Sequence, residues 1–257
     1  HSIDSPLFPI SIQKLIRGAQ TALETIRAGK FYDVAFDLLS ASPAAGLEVS
    51  LSVPAEGLDI RYTTDGSEPT RQSPRYRAPL RLQRSATVRA IACREGTVVA
   101  DVTAKDFVVH KATGRPVELT QPLSPKYPPK GGASALVNGV RGSDSYRDGQ
   151  WVGFEGTGMA ATIDLDQATG VVRVGLATLN DHDNWVYHSP HAEVFGSLDG
   201  VEFAKLGEAV DEATTDRVVH LTVPLAGVTK RYLRVVAHCQ TIPPGNQGAG
   251  SPAWLFV

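Results

Sequence analysis

The chain has 257 residues, 42% of them hydrophobic, and a formal net charge of −2, enough for one large or two small domains with a buried core. Neither a basic tail nor a clustered Lys/Arg stripe is present, which excludes the electrostatic footprint of a nucleic-acid binder or a protein held on an anionic membrane. No apolar run approaches the ~20 residues needed to span a bilayer, and the two cysteines, Cys93 and Cys239, are far apart in sequence, each expected to pack in a strand as a small hydrophobe without a disulfide.

After a Pro-punctuated entry, "HSIDSPLFP", apolar residues recur at Ile12, Leu15, Ile16, Ala19, Leu23 and Ile26. This spacing predicts one amphipathic helix, with Ser11 as N-cap and Gly29 as stop. From about Phe31 the pattern changes to short runs bounded by Gly, Pro, Asp and Ser: "GLEVSLSV", "DIRYTT", "APLRLQ", "ATVRAIACR" and "VVADVTAKDFVV". Five strands in under eighty residues predict an antiparallel sandwich rather than a βαβ fold. Between Thr113 and Gly132, "TGRP" and "QPLSPKYPPKGG" read as a linker or a lead-in strand. Further short strands follow, "AATIDL", "VVRVGLATL", "HAEVFGSL", "VVHLTVPL", "KRYLRVVAHC" and "AWLFV", predicting a second all-β domain of sandwich or jelly-roll size. The expected division is 1–33 helical segment, 34–115 first β module and 116–257 second β module.

Within "YTTDGSEPT", Asp65 and Gly66 supply turn chemistry and Pro69 stops the ladder, so the stretch reads locally as a hairpin, as does "GSLDGVEF" around Asp199 and Gly200. The longer run "IRYTTDGSEPTRQSPRYRAPLRLQRSATVRAIACREG" resembles the small module at the C-terminal side of bacterial chitobiases and β-hexosaminidases, over roughly Gly46 to Val109. No catalytic residue of those enzymes resides in that module. From about Lys126 to the end, "SALVNGVRGSDSYRDGQWVGFEG", "NWVYHSPHAEVFGSLDGVEFAKLG" and "GSPAWLFV" resemble the coagulation factor 5/8 type C, or discoidin-like, domains that include family 32 carbohydrate-binding modules. The resemblance implies an all-β chain: a small immunoglobulin-like β-sandwich followed by a discoidin-like β jelly roll, with a short N-terminal helix. The tandem order is similar to the C-terminal half of family 20 glycoside hydrolases, β-N-acetylhexosaminidases. Their barrel and neighbouring Asp–Glu pair have no counterpart here, and no G-x-S-x-G elbow follows a strand, so no catalytic residues are expected.

Discoidin-like sugar binders hold one structural calcium ion near the start of the domain. The resemblance places it in "LVNGVRGSDS", on the carbonyls of Leu136 and Arg141 and the side chains of Asn138 and Ser143, with Asn138 standing where the family has Asp. For a sugar, an aromatic face and a few oriented polar groups are required. The loop "NDHDNWVYHSPH" supplies both in Asp181, His182, Asn184, Trp185, Tyr187 and His188. Arg147 and Asn246 are added from flanking loops, while Trp151 and Phe154 read as core. In the alternation Trp185, Val186, Tyr187, His188 one set must face inward, and Trp185 itself is a candidate for burial. His182, His188 and His191 raise zinc as a lesser reading, because their spacing is not helical and no cysteine pair or carboxylate pattern accompanies them.

The function implied is a non-catalytic accessory region that binds glycans of the terminal galactose or N-acetylhexosamine class. Its partner would be a catalytic domain N-terminal to it on the same polypeptide, in a secreted, periplasmic or cell-surface protein. The chain opens at His1 without a signal-like segment and reads as a piece of something longer. The alternative is purely structural: modules that buttress a catalytic barrel and bind no sugar.

Overall fold

The computed structural model describes residues 19–20, 30–211 and 214–257. Ala19 and Gln20 are helical; the rest of the helix expected over 11–29 lies outside the described residues. Beyond it come β1 (Ala35–Ser42), β2 (Gly46–Ser52), β3 (Asp59–Thr63), β4 (Leu80–Leu82), β5 (Ala86–Arg94), β6 (Thr97–Val98), β7 (Thr103–Phe107) and β8 (Val117–Leu119). These are followed by β9 (Gly153–Glu155), β10 (Met159–Leu179), β11 (His191–Ser197), β12 (Ala204–Val210), β13 (Val218–Ala237) and β14 (Trp254–Phe256). The chain is all-β, and its described helical pieces beyond residue 30 are 3₁₀ turns at Lys30–Tyr32, Gly132–Val137 and His182–Asn184. No helix among the described residues is long and apolar enough to cross a membrane.

Two compact units divide the described residues. One gathers 30–39, 49–80 and 86–106; the other gathers 40–48, 81–85 and 107–257. The stretch 107–115, which the sequence groups with the first module, therefore packs with the second.

In the first unit, β3 pairs antiparallel with β5, and β5 also carries β6 and β7. Alternating and β-branched residues make these strands half-buried: Ile60, Val88, Ala90, Ile91, Ala92 and Cys93 form its interior with Val34, Val49 and Leu51. The "TDGS" turn is an Asx turn in which Asp65 Oδ1 accepts the Ser67 amide (3.0 Å) and hydroxyl (2.6 Å). Gly66 takes φ +78° there, a conformation that disfavours a side chain. Those two bonds hold the Asp65 carboxyl below its ordinary pKa. Cys93 is a buried free thiol in β5 as expected, and burial pushes its pKa up; Cys239, also free, lies just past the end of β13 rather than within a strand.

The second unit is built on a five-stranded sheet in the order β12-β11-β13-β10-β8, with β14 and β9 as a second small sheet. Its two longest strands each join runs that the sequence separates. "AATIDL" and "VVRVGLATL" are both β10, and "VVHLTVPL" and "KRYLRVVAHC" both fall in β13. The turn-like residues between them mark register shifts at Asp164/Thr169 and Val171/Arg173 rather than chain reversals, as β-bulges do in long twisted pairs. At the first shift Arg231 Nε and Nη2 reach the Asp164 carboxylate at 3.0 and 2.9 Å. Alternation over Met159–Leu165 and Val218–Leu225 sends one face inward. That face meets Val152, Phe154, Val194 and Leu255 in the main core, where each fully buried large apolar side chain contributes about 1.5–3 kcal/mol. A second cluster, Tyr146, Trp151, Leu179, Val186 and Phe256, lies under the loops that carry the candidate site, and it confirms Trp151 as a core residue.

Candidate functional site

At the Leu179/Val218 end of the β10–β13 pair, the loop after β10 closes on itself. The Asp181 and Val186 amides each donate to the other's carbonyl, at 2.8 and 3.0 Å, and the Asn184 and Trp185 amides donate back to Asp181 and His182. This tight closure puts Trp185 in the left-handed region, φ +61° and ψ +23°, a genuine outlier for a bulky side chain that costs about 1–2 kcal/mol. Neighbouring strand β14 fixes it there: the Trp254 amide donates to the Trp185 carbonyl (2.8 Å) and the Tyr187 amide to the Trp254 carbonyl (3.0 Å). Trp185 as a whole is 41% exposed. The simple strand alternation expected over Trp185–His188 is thus absent, because a 3₁₀ turn precedes Trp185 while Val186, Tyr187 and His188 are all buried.

Polar groups gather on this loop and its neighbours. The Asn184 side chain donates to Asp181 Oδ2 (2.8 Å) and accepts from the Tyr146 hydroxyl (3.3 Å). Arg147 is exposed and lies over the Tyr146 ring, 5.2 Å from its centroid. His182, also exposed, stacks on Tyr187 at 4.3 Å. Arg217, unremarked in the sequence, reaches Asp181 Oδ1 at 2.7 Å through Nη1 and the Asp144 carbonyl at 3.0 Å through Nε. It arrives there because Leu179 pairs with Val218, which sets Arg217 beside the start of the loop. That register is a tertiary fact with no local sequence signal. The loop bearing the exposed Asn246 abuts the indole through Gly248, where an added Cβ would lie 3.2 Å from two ring carbons of Trp185.

Three expected contact residues instead face inward. Asp181 is 3% exposed, Tyr187 3% and His188 7%. Tyr187 packs with Ile242 and Ala253, and burial raises the pKa of its phenol. Neither His188 ring nitrogen has a well-formed hydrogen bond. Burial lowers its pKa, against an opposing pull from Asp211, and nearby His182 adds to the lowering. These three side chains shape and support the loop from below, leaving His182, Asn184, Trp185, Arg147 and Asn246, with Arg217, at the surface.

The expected calcium loop is held together by its own polar groups. Asn138 is buried; its Oδ1 accepts the Val140 amide (2.8 Å) and its amide donates to Gln150 (3.3 Å). Ser143 Oγ accepts the Ser145 amide (3.3 Å), and the Ser143 carbonyl accepts the Trp151 indole N–H (2.9 Å). Leu136 is half-buried and Arg141 exposed. The loop's organising carboxylate is Asp148, which the sequence reading passed over. It accepts the Ser143 amide through one oxygen (2.6 Å) and the Gln150 amide through the other (2.8 Å). Calcium favours several carboxylate and carbonyl oxygens free to converge; of the expected donors, the side-chain oxygens of Asn138 and Ser143 are already turned to backbone amides.

Residues 41–104 match the family of the chitobiase/beta-hexosaminidase C-terminal domain. Among solved structures, the chain is similar to a CBM32 module from a family 31 glycoside hydrolase of Clostridium perfringens, at 16% identity over 54% of this chain and 86% of that one, with a TM-score of 0.35. It is similar also to a fucose-binding module of Streptococcus pneumoniae (12% identity, 58% and 93% covered, TM-score 0.37). A third is the family 32 carbohydrate-binding module of Streptococcus pneumoniae EndoD (14%, 56% and 95%, 0.36). No curated protein matches.

Proposed function

We propose that this chain is the non-catalytic accessory region of a β-N-acetylhexosaminidase-like glycoside hydrolase, and that its second unit binds carbohydrate through Trp185. The observation that carries the reading is Trp185 itself, exposed and held in a strained left-handed conformation by backbone bonds to His182 and Trp254. Local strain of this kind is retained where the surroundings over-determine it, and it clusters at ligand clamps. An exposed indole offers its face to the C–H side of a pyranose, while Asn184, His182, Arg147, Arg217 and Asn246 supply donors and acceptors for hydroxyls. The family match over residues 41–104 supports the parent assignment. The ligand class is a terminal galactose or N-acetylhexosamine, the catalytic partner lies on the same polypeptide, and the protein acts on glycans outside the cytoplasm.

The test is a glycan array with the chain and its Trp185→Ala variant, each with calcium and with EDTA. Bound galactosides or N-acetylhexosaminides, weakened at least tenfold in the variant while its melting temperature holds, are expected, since a central tryptophan anchor carries about 2 kcal/mol or more. Chelation is expected to leave glycan binding unchanged. A folded chain that binds no glycan overturns the proposal and favours the buttressing role. A melting temperature that drops in EDTA and is recovered by calcium but not by zinc would restore the calcium reading.

A further inference from the structure

On β11, alternation sends Ala192 and Val194 into the core and turns His191 and Glu193 to the outer face. The β11–β13 register pairs Ala192 with Ala237, and one step on, the His238 amide donates to the His191 carbonyl (3.0 Å). Adjacent positions on paired strands share a face, so the two imidazoles meet and stack, centroids 4.8 Å apart and planes within 10°. Glu193 Oε2 lies 2.8 Å from His238 Nε2. From the other side β12 sets Glu208 opposite Glu193, with its Oε2 2.8 Å from His191 Nε2. Lys205 Nζ bridges Glu193 Oε1 and Glu208 Oε2 at 2.7 and 2.8 Å.

We infer that His191, Glu193 and His238 form a binding site for a divalent first-row transition-metal ion of the zinc type, on the outer face of the sheet and apart from the Trp185 loop. One ligand atom from each residue lies within 4.8 Å of the other two. Metal bonds of about 2.0–2.2 Å in a tetrahedral shell set ligand atoms about 3.3 Å apart, so the site must tighten by up to about 1.5 Å. Rotation of two histidines whose side chains are 30% and 44% exposed can supply that closure. Two imidazoles with one carboxylate suit zinc, copper or nickel rather than calcium or magnesium, and water completes the fourth position. Two ligands stand on β11 and the third one residue past the end of its partner β13, tied to β11 by its amide, which fixes their backbones in advance. Lys205 sits on the Glu193 oxygen that does not face His238. With the imidazoles neutral, two carboxylates outweigh its single charge, leaving the cluster net negative for an incoming cation. The sequence spacing of His182, His188 and His191 did not show this group, because only the β11–β13 pairing brings His238 beside His191.

The experiment is titration of the untagged, chelator-washed chain with zinc chloride by calorimetry, and with cobalt chloride by visible absorption. One equivalent of zinc, together with the intense d–d absorption of four-coordinate cobalt, is expected. His238→Ala and Glu193→Gln should each weaken binding at least tenfold, and His220→Ala, an exposed histidine elsewhere on β13, should leave it unchanged. If His238→Ala does not fold, His191→Asn takes its place. No saturable zinc binding by the folded wild type, or binding that survives loss of either histidine, overturns the inference.

Discussion

At the scale of single residues, His188 is a buried histidine that carries a pH dependence. Its imidazole is buried with neither nitrogen well bonded, and its pKa falls below the ordinary 6.5. In the unfolded chain the ring takes up a proton near pH 6.5, while in the folded chain it resists doing so. Over that window the unfolded state binds more protons, so stability rises with pH. The contribution is present above pH 6.5 and is lost as pH falls from there toward the folded pKa. Thermal melts between pH 7 and 5 should show a decline that is shallower in His188→Gln, provided the amide is accommodated; an unchanged slope would place the proton elsewhere. Residue identity in the sequence singled out Trp185 and its polar neighbours as candidates. It did not separate exposed Trp185 from buried Tyr187 and His188, since that division follows from the 3₁₀ turn at His182–Asn184 and the bonds to Trp254, which lies far along the chain.

At the scale of elements, the loop bearing Gly248 is matched to the Trp185 loop. Gly248 sits at φ +85°, with Trp185 and Ile242 side-chain carbons 3.2–3.3 Å from where a Cβ would stand. Gly248→Ala would carry about 1 kcal/mol of backbone strain and push the indole aside. A small loss of melting temperature with a severalfold loss of glycan binding is the expected result, whereas unchanged binding would show that the two loops are not coupled. Strand identity was legible for β2, β3, β5 and β11, where alternation and turn residues agree. The sequence cut β10 and β13 in two because "DQATG" and "PLAG" carry turn chemistry. In a pair whose neighbouring registers are already set by long hydrophobic faces, such residues are absorbed as bulges. Strand β1 was missed altogether: "AFDLLSAS" shows no clear alternation, and its burial pattern is correspondingly mixed.

At the scale of the whole molecule, the second unit depends on residues that precede its resemblance in sequence. Phe107 is 2% exposed and bridges to Val140, the Val108 amide donates to the Gly139 carbonyl (2.8 Å), and the Gly114 amide to the Val137 carbonyl (2.9 Å). Removing a buried phenylalanine costs about 3–5 kcal/mol, and each kcal/mol shifts the melting temperature by about 2–4 °C in a domain of this size. A fragment of residues 107–257 should therefore melt at least about 6 °C above one of 116–257. Both lack 40–48 and 81–85, so the comparison isolates 107–115, and equal melting temperatures would detach that stretch from the unit. Composition, turn chemistry and alternation by themselves determined that this chain is all-β, because those features depend on neighbours within a few residues. Tertiary structure alone decided which side chains face solvent at the Trp185 loop, that Arg217 joins Asp181, that Asp148 organises the loop expected to hold calcium, and that His191 meets His238. Each of these rests on strand register and loop closure between residues distant in sequence, where pairing energy rather than local propensity sets the geometry.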